Sequence, residues 1–78
     1  MPRRYVHLQN GATILDNDGI DLPDMTATRA EAVRTMASVL LEDNVDSFWD
    51  GHPIRLWITD GPNGSGETVL ALNVSRET

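Results

Sequence analysis

The stretch Ile54-Arg55-Leu56-Trp57-Ile58-Thr59 decides the fold, because aliphatic side chains occupy every second position in it. Alternation with a period of two is typical of a β-strand that buries one face only. The three aliphatic residues are therefore predicted to point into a core, whereas Arg55, Trp57 and Thr59 point away from it. Such a strand belongs to a sheet that is covered on one side.

Further strands are predicted on both sides of this stretch. A Gly-rich turn over residues 60–67 leads to a strand over 69–74. Near the N-terminus, residues 4–8 and 12–15 are predicted as strands joined at Asn10-Gly11, since Asn-Gly supplies the two positive φ angles of a tight hairpin. In residues 4–8, Val6 and Leu8 share one face, and Tyr5 and His7 share the other.

The covering layer is predicted to be a helix over residues 25–43. Asp24 is its expected N-cap, and Thr28 with Glu31 forms a competing capping box. We expect its buried side to carry the apolar residues Ala30, Val33, Ala37, Leu40 and Leu41, with Met36 beside them. Met25, Ala32 and Val39 widen this apolar surface beyond a single stripe. Thr28, Glu31, Thr35, Ser38 and Glu42 are expected on the opposite side.

Two connecting segments have no clear periodicity. Residues 16–24 are acidic and contain Gly and Pro, which excludes a helix, and part of them is predicted to extend the second strand. Asn44 and its acidic neighbours are predicted to end the helix. Residues 44–53 are predicted to be irregular, with Val45, Phe48 and Trp49 packed against the helix end.

The element order is therefore β-β-α-β-β, and the fold class is α+β. We predict a single domain over residues 1–78, with an antiparallel sheet and one helix packed on one face. The order of the strands within the sheet does not follow from the sequence.

Composition excludes several classes of protein. The 78 residues include twelve acidic and six basic residues, all six of them Arg, which gives a net charge of −6. No cysteine is present, so disulfides, zinc–thiolate sites and thiol nucleophiles are excluded. No apolar run approaches the roughly 20 residues of a membrane span, and the N-terminus does not match a signal peptide. We expect a cytoplasmic protein without membrane contact.

The sequence predicts no catalytic residue, no metal site and no cofactor. Aligning Asp18-Gly19 with an EF-hand loop places Ile14 and Met25 at ligand positions, where neither can bind calcium. The Gly-rich turn over 60–67 contains no Lys and precedes a strand, unlike a phosphate-binding loop. His7 and His52 are the only residues with pKa values suited to general-base chemistry, and no nucleophile motif accompanies them. We therefore expect a protein that is not an enzyme.

The outer face of the sheet is the main candidate site. Tyr5, His7, Arg55 and Trp57 are predicted to lie together on the side that the helix leaves open. Tyr, Trp and Arg are enriched in protein interfaces, so this face is predicted to bind a protein partner or a second copy in a homodimer. Similar faces bind single-stranded RNA, but the net charge of −6 makes nucleic acid an improbable partner. Plain surface, or a face covered by Trp49 or a loop, is the remaining alternative.

Several motifs together resemble one family. They are Met1-Pro2-Arg3-Arg4-Tyr5-Val6-His7-Leu8, Asn10-Gly11, Asp18-Gly19-Ile20-Asp21-Leu22-Pro23-Asp24 and Ala30-Glu31-Ala32. These motifs resemble those of the DUF6894 family, which consists of small uncharacterised proteins found mostly in alphaproteobacteria. The sequence departs from the family pattern at Arg4 and Val6, where an aromatic residue is usual, and in its long Gly-rich turn. The resemblance covers nearly the whole chain and implies no activity.

A looser similarity exists to HicB-type antitoxins, which share an extended hairpin, a Leu-Pro-Asp-like turn and an Ala/Glu-rich helix. It implies an alternative function, an antitoxin-like or RNA-contacting regulatory module. Likeness of architecture alone does not transfer a function.

Overall fold

The computed structural model describes residues 3–42 and 46–77 of the chain. Its elements are the strands β1 (Arg3–Asn10), β2 (Ala12–Ile14) and β3 (Ile20–Asp21), the helices α1 (Met25–Glu42) and α2 (Asp46–Trp49), and the strands β4 (Ile54–Thr59) and β5 (Thr68–Val74). A single turn of 3-10 helix at Pro62–Gly64 lies between β4 and β5. The predicted α+β class is confirmed, with α1 packed on an antiparallel sheet.

The sheet has the strand order β2-β1-β4-β5, and β3 also pairs with β1. Because β4 occupies one edge of β1, both β2 and β3 lie along its other edge. The two predicted hairpins, β1–β2 and β4–β5, are present and antiparallel, but Gly11 has a positive φ and Asn10 does not, so the predicted pair of positive φ angles is not formed. Among the described residues, no strand pairs with the outer edge of β5.

The inner face of the sheet forms the core, as the alternation in β4 predicted. Ile54, Leu56 and Ile58 are wholly buried, and Val6 and Leu8 of β1 pack against the same cluster. The helical side of the core consists of Ala32, Met36, Val39 and Phe48. Each fully buried aliphatic side chain contributes about 1.5–3 kcal/mol through the hydrophobic effect, so these three residues of β4 anchor the fold.

The buried side of α1 differs from the prediction. The helix buries Thr28, Ala32, Met36 and Val39 against the sheet. Val33 and Leu41, which were predicted to be core residues, are 63% and 84% exposed. Ala32, Met36 and Val39 of the predicted apolar surface are buried, but the core side of the helix is rotated toward Thr28, so Val33 and Leu41 remain outside.

Asp24 caps α1, as predicted. Its carboxylate oxygen Oδ1 accepts a hydrogen bond of 2.8 Å from the amide of Ala27. The competing capping box is not used, because the Thr28 hydroxyl donates to the Asp24 carbonyl from within the helix. The Glu31 carboxylate accepts hydrogen bonds from Arg34 and Thr35 instead. The predicted helix end at residues 43 and 44 lies outside the described residues.

The segment after α1 is partly helical instead of irregular. Phe48 of α2 is buried, as predicted, but Trp49 is 62% exposed and touches the Phe48 ring edge-on with 5.0 Å between the ring centroids. Only one of these two aromatic residues therefore packs into the core. Val45, the third residue of that prediction, lies outside the described part of the chain.

Ile20–Asp21 of the acidic segment is extended, as predicted, but it forms a strand of its own, β3, which residues 15–19 separate from β2. Arg3 and Arg4 of β1 pair with Asp21 and Ile20 of β3. An exposed ion pair of 3.1 Å joins Arg3 and Asp21. Leu22, directly after β3, is buried and leads the chain into α1.

Candidate functional site

The four residues predicted to form the outer sheet face do lie on the side opposite α1. His7 of β1 pairs with Trp57 of β4, and their ring centroids are 5.3 Å apart. The Arg55 guanidinium carbon lies 5.2 Å from the centroid of the Trp57 ring, a distance suited to a cation–π interaction. Tyr5 pairs with Thr59 one step along the same face.

His7 is not accessible on this face, however, because it is wholly buried. The loop between β2 and β3 folds over its ring, and the amide of Asp16 donates a hydrogen bond of 3.0 Å to His7 Nδ1. The loop between β4 and β5 holds the covering loop in place, because the amide of Asn63 donates a hydrogen bond of 2.9 Å to the Asp16 carbonyl oxygen. The prediction that His7 contacts a partner is therefore corrected in one respect, because the folded chain shields its ring.

The hydrogen bonds around His7 assign a neutral imidazole. The Thr59 hydroxyl donates to the Gly61 carbonyl at 2.7 Å, so its oxygen accepts the second bond, 2.8 Å long, from His7 Nε2. With Nδ1 accepting from the Asp16 amide, the proton is assigned to Nε2. Burial lowers the pKa of His7, and the nearby Asp16 carboxylate opposes that shift only in part.

The Asp16 carboxylate organises the covering loop. Its Oδ2 accepts from the amide of Val6 at 3.1 Å, and its Oδ1 accepts from the amides of Asp18 and Gly19. Burial raises the pKa of Asp16, but these three hydrogen bonds and His7 outweigh burial and hold it below its usual value. Both oxygens are thus occupied by backbone amides of the same chain.

The hydrogen bonds around His7 and Asp16 indicate a structural role for these two residues more readily than a catalytic one. The described residues contain no group of three or more His, Cys, Asp or Glu side chains placed to hold a metal ion. A shallow depression of about 200 Å³ lies elsewhere, lined by Gln9, Gly11, His52 and Pro53. It is separate from the His7 ring, which a substrate cannot reach.

The accessible part of the outer sheet face is smaller than predicted. Arg55 is exposed, whereas Tyr5 and Trp57 are half-buried. The Tyr5 ring packs so tightly over Gly19 that a Cβ atom there would lie 2.8 Å from its Cε2. A partner on this side would contact mainly Arg55 and Trp57.

A second candidate surface lies on α1. We use the term apolar arc for Ala30, Val33, Ala37, Leu40 and Leu41, which are all exposed. A contiguous apolar surface of this kind is more informative than scattered exposed residues, because it often marks a site of interaction. The sequence shows these apolar residues at helical spacing, but that spacing predicts that they face the core. Within the described residues, no helix is long and apolar enough to cross a membrane.

A comparison with protein families identifies related sequences. The sequence model of a family described as Domain of unknown function (DUF6894) matches residues 3–75. The chain belongs to this family. Searches of curated proteins and of solved structures gave no match.

The motif of this DUF6894 domain over residues 18–24 has structural roles in the chain. The amides of Asp18 and Gly19 hold the Asp16 carboxylate above His7. Leu22 fills the core, and Asp24 caps α1. The residues that carried the resemblance thus build the covered outer face and start the helix.

Proposed function

We propose that this DUF6894 domain is a protein–protein interaction module without catalytic activity. The observation that carries the proposal is the exposure of large apolar side chains on the apolar arc, with Val33 at 63% and Leu41 at 84%. Keeping such side chains in water is unfavourable, and covering them with a partner releases about 25 cal/mol per Å² of apolar surface. A small core that leaves these residues outside is consistent with a surface made for binding.

The absence of catalysis is part of the same proposal. Its support is the enclosure of His7, whose two ring nitrogens are both occupied by hydrogen bonds within the chain. A general base needs a free nitrogen within reach of a substrate proton.

The outer sheet face remains a second contact surface in this proposal. Arg55 and Trp57 are the residues that reach the surface, with Tyr5 beside them and His7 beneath. Arg and Trp are the residue types that most often dominate binding energy at interfaces. We also propose a bacterial, cytoplasmic setting, which the lack of cysteine fits.

The RNA-contacting alternative has one specific observation in its favour, the stacked pair of Arg55 and Trp57. Bases stack on such pairs in single-strand binders. The net charge of −6 opposes it, because affinity for nucleic acid depends largely on neutralising phosphates. Retention of single-stranded RNA at low salt that disappears as salt rises would favour this alternative.

Site-specific photo-crosslinking in the native host cells tests the proposal. A photoreactive amino acid replaces Val33, Leu41 or Arg55 in the full chain, and Asn17, exposed in a polar loop, serves as the control position. We expect discrete protein adducts from position 33 or 41 and none from position 17. If no position gives an adduct above the control, the interaction function is wrong.

A further inference from the structure

The strand β5 is an open edge that carries a bulge at Val69, near its start, but little other protection. Its residues Thr68–Val74 include no charged residue and no Pro, and none of the described strands pairs with its outer side. Natural proteins normally guard such an edge with charges, Pro or a bulge, because an unpaired strand is a template for another strand. The opposite edge of the sheet is formed by β2 and β3, which have only three and two residues, and very short edge strands are poor templates for pairing.

The apolar arc lies near this open edge. The helix α1 packs over β4 and β5. Since β3 and β4 both run antiparallel to β1, the segment β3-α1-β4 is a crossover between parallel strands, and such crossovers are right-handed. With that hand, the side of α1 that carries Val33 and Leu40 faces the β5 edge. The side that carries Glu31 and Thr35 faces β1.

The same region is free of acidic residues. None of the twelve acids lies in β5, and the only one in residues 25–41 is Glu31, on the other side of α1. Two copies with a net charge of −6 each repel one another. A surface without acids is therefore the one on which a second copy can dock at the lowest electrostatic cost.

We propose that the domain forms a two-fold symmetric homodimer through β5 and the side of the apolar arc that carries Val33 and Leu40. The two β5 strands pair antiparallel and form one continuous sheet, and the two α1 helices pack side by side across the junction. This inference rests on the proposed interaction function and names the partner as a second copy of the chain.

The dimensions of the two elements fit this arrangement. From the rise per residue, α1 is about 27 Å long and β5 about 24 Å, so the helix pair covers the strand pair along its length. A standard interface buries about 800 Å² on each partner, roughly a sixth of the 4978 Å² surface of this chain. Strand pairing and helix packing together supply such an area better than either alone.

Light scattering after size-exclusion chromatography of the full chain gives the first test. We expect a dimer in the micromolar range. Val33→Glu places two carboxylates in the apolar junction and should raise the dissociation constant at least about tenfold. Ser38→Glu is the matched control, because it adds the same charge to an exposed position on the other side of α1, and it should remain dimeric.

Amide hydrogen exchange of β5 gives the second test. In a monomer, alternate amides of an edge strand point to solvent and exchange quickly. In the proposed dimer, the amides along β5 are protected on both sides, and Val33→Glu should restore the alternation at low concentration. Circular dichroism of both variants checks that the helix is retained.

The outcomes separate this inference from the interaction function. A dimer whose β5 amides still alternate, or one that Val33→Glu does not weaken, would contradict the proposed interface. A monomer at 100-fold above micromolar concentration would end the homodimer. In that case, adducts with a different protein from position 33 or 41 would still support the interaction function, whereas the absence of any adduct would remove both.

Discussion

At the scale of single residues, His7 and Asp16 connect the sheet to the loops that cover it. His7 accepts from the Asp16 amide, and the Asp16 carboxylate accepts from Val6 beside His7. Each residue therefore fixes the loop that hides the other from water. A buried polar pair of this kind stabilises the fold only while all its hydrogen bonds are made.

Acidification should weaken the fold through His7. Burial lowers the pKa of His7 in the folded chain, so between pH 6.5 and its lower folded pKa the unfolded chain binds more protons. The free energy of unfolding is then highest above pH 6.5 and falls as the pH drops through 6.5. Urea unfolding at pH 7.5, 6 and 5 measures this change, and His7→Gln should reduce it.

The folded pKa of Asp16 is lowered, so its contribution to stability is present above its unfolded pKa and is lost only as the pH falls through the lower folded value. That window lies well below the one assigned to His7. A flat stability between pH 7.5 and 5, or an NMR spectrum with the proton on Nδ1, would contradict the assignment for His7.

Gly19 should tolerate substitution less well than Gly64, although both have a positive φ. A Cβ at Gly19 would lie 2.8 Å from Tyr5 Cε2 and 2.9 Å from Arg3 Cγ, whereas at Gly64 its nearest contact is Leu15 at 3.8 Å. Gly64→Ala should cost about 1–2 kcal/mol from the backbone alone. Gly19→Ala should cost about 1–3 kcal/mol more, because it adds steric overlap. Equal costs in urea unfolding would show that the Tyr5 ring moves freely.

The sequence could predict which face each residue of the outer sheet occupies, because alternation along a strand depends only on the backbone. It left a loop over this face as an alternative, but it could not predict which loop buries His7. His7 is buried because the loop that contains Asp16 lies over it. The Asp16 carboxylate accepts hydrogen bonds from the amides of Val6, Asp18 and Gly19, and no periodic pattern in the sequence indicates these contacts.

At the scale of elements, α1 shows where sequence reasoning lost information. The apolar pattern predicts the helix over 25–43 and includes the buried residues Ala32, Met36 and Val39, but it centres the core side on residues that are exposed. The side that packs on the sheet includes Thr28 and Ala32, and steric fit decides that choice. The alternation of Ile20 and Leu22 with acidic residues predicts an extended chain there, but it does not show where β2 ends and β3 begins.

The start of α1 should depend on the Asp24 carboxylate. Asp24→Ala removes the acceptor of the Ala27 amide and should lower the free energy of unfolding by about 1 kcal/mol. Asp24→Asn is the matched control, because Asn caps helices nearly as well. Thermal unfolding followed by circular dichroism compares the three chains. Equal losses in both variants would mean that charge, and not the cap, matters.

At the scale of the whole molecule, charge and shape act together. The chain measures 41 × 22 × 19 Å and carries a net charge of −6, yet its acids avoid β5 and the apolar arc. Repulsion between copies therefore acts at long range, while apolar contact and strand pairing act only at close approach. Because salt screens the long-range repulsion more than it affects the short-range contacts, the ionic strength can be used to separate the two.

Added salt should strengthen self-association. Raising the ionic strength from 0.01 to 0.15 M shortens the Debye length from about 30 to 8 Å. For two copies treated as point charges of −6 that lie about 22 Å apart, this screening removes about 2–3 kcal/mol of repulsion. The dissociation constant of the homodimer, measured by analytical ultracentrifugation, should fall at least about tenfold, and that of the control Val33→Glu should stay higher than the unsubstituted chain's at each salt concentration. Binding to RNA would change in the opposite direction, because salt weakens phosphate contacts. The sign of the salt dependence thus distinguishes the two functions even before a partner is identified, and an association that weakens with salt would contradict a dimer joined through an uncharged surface.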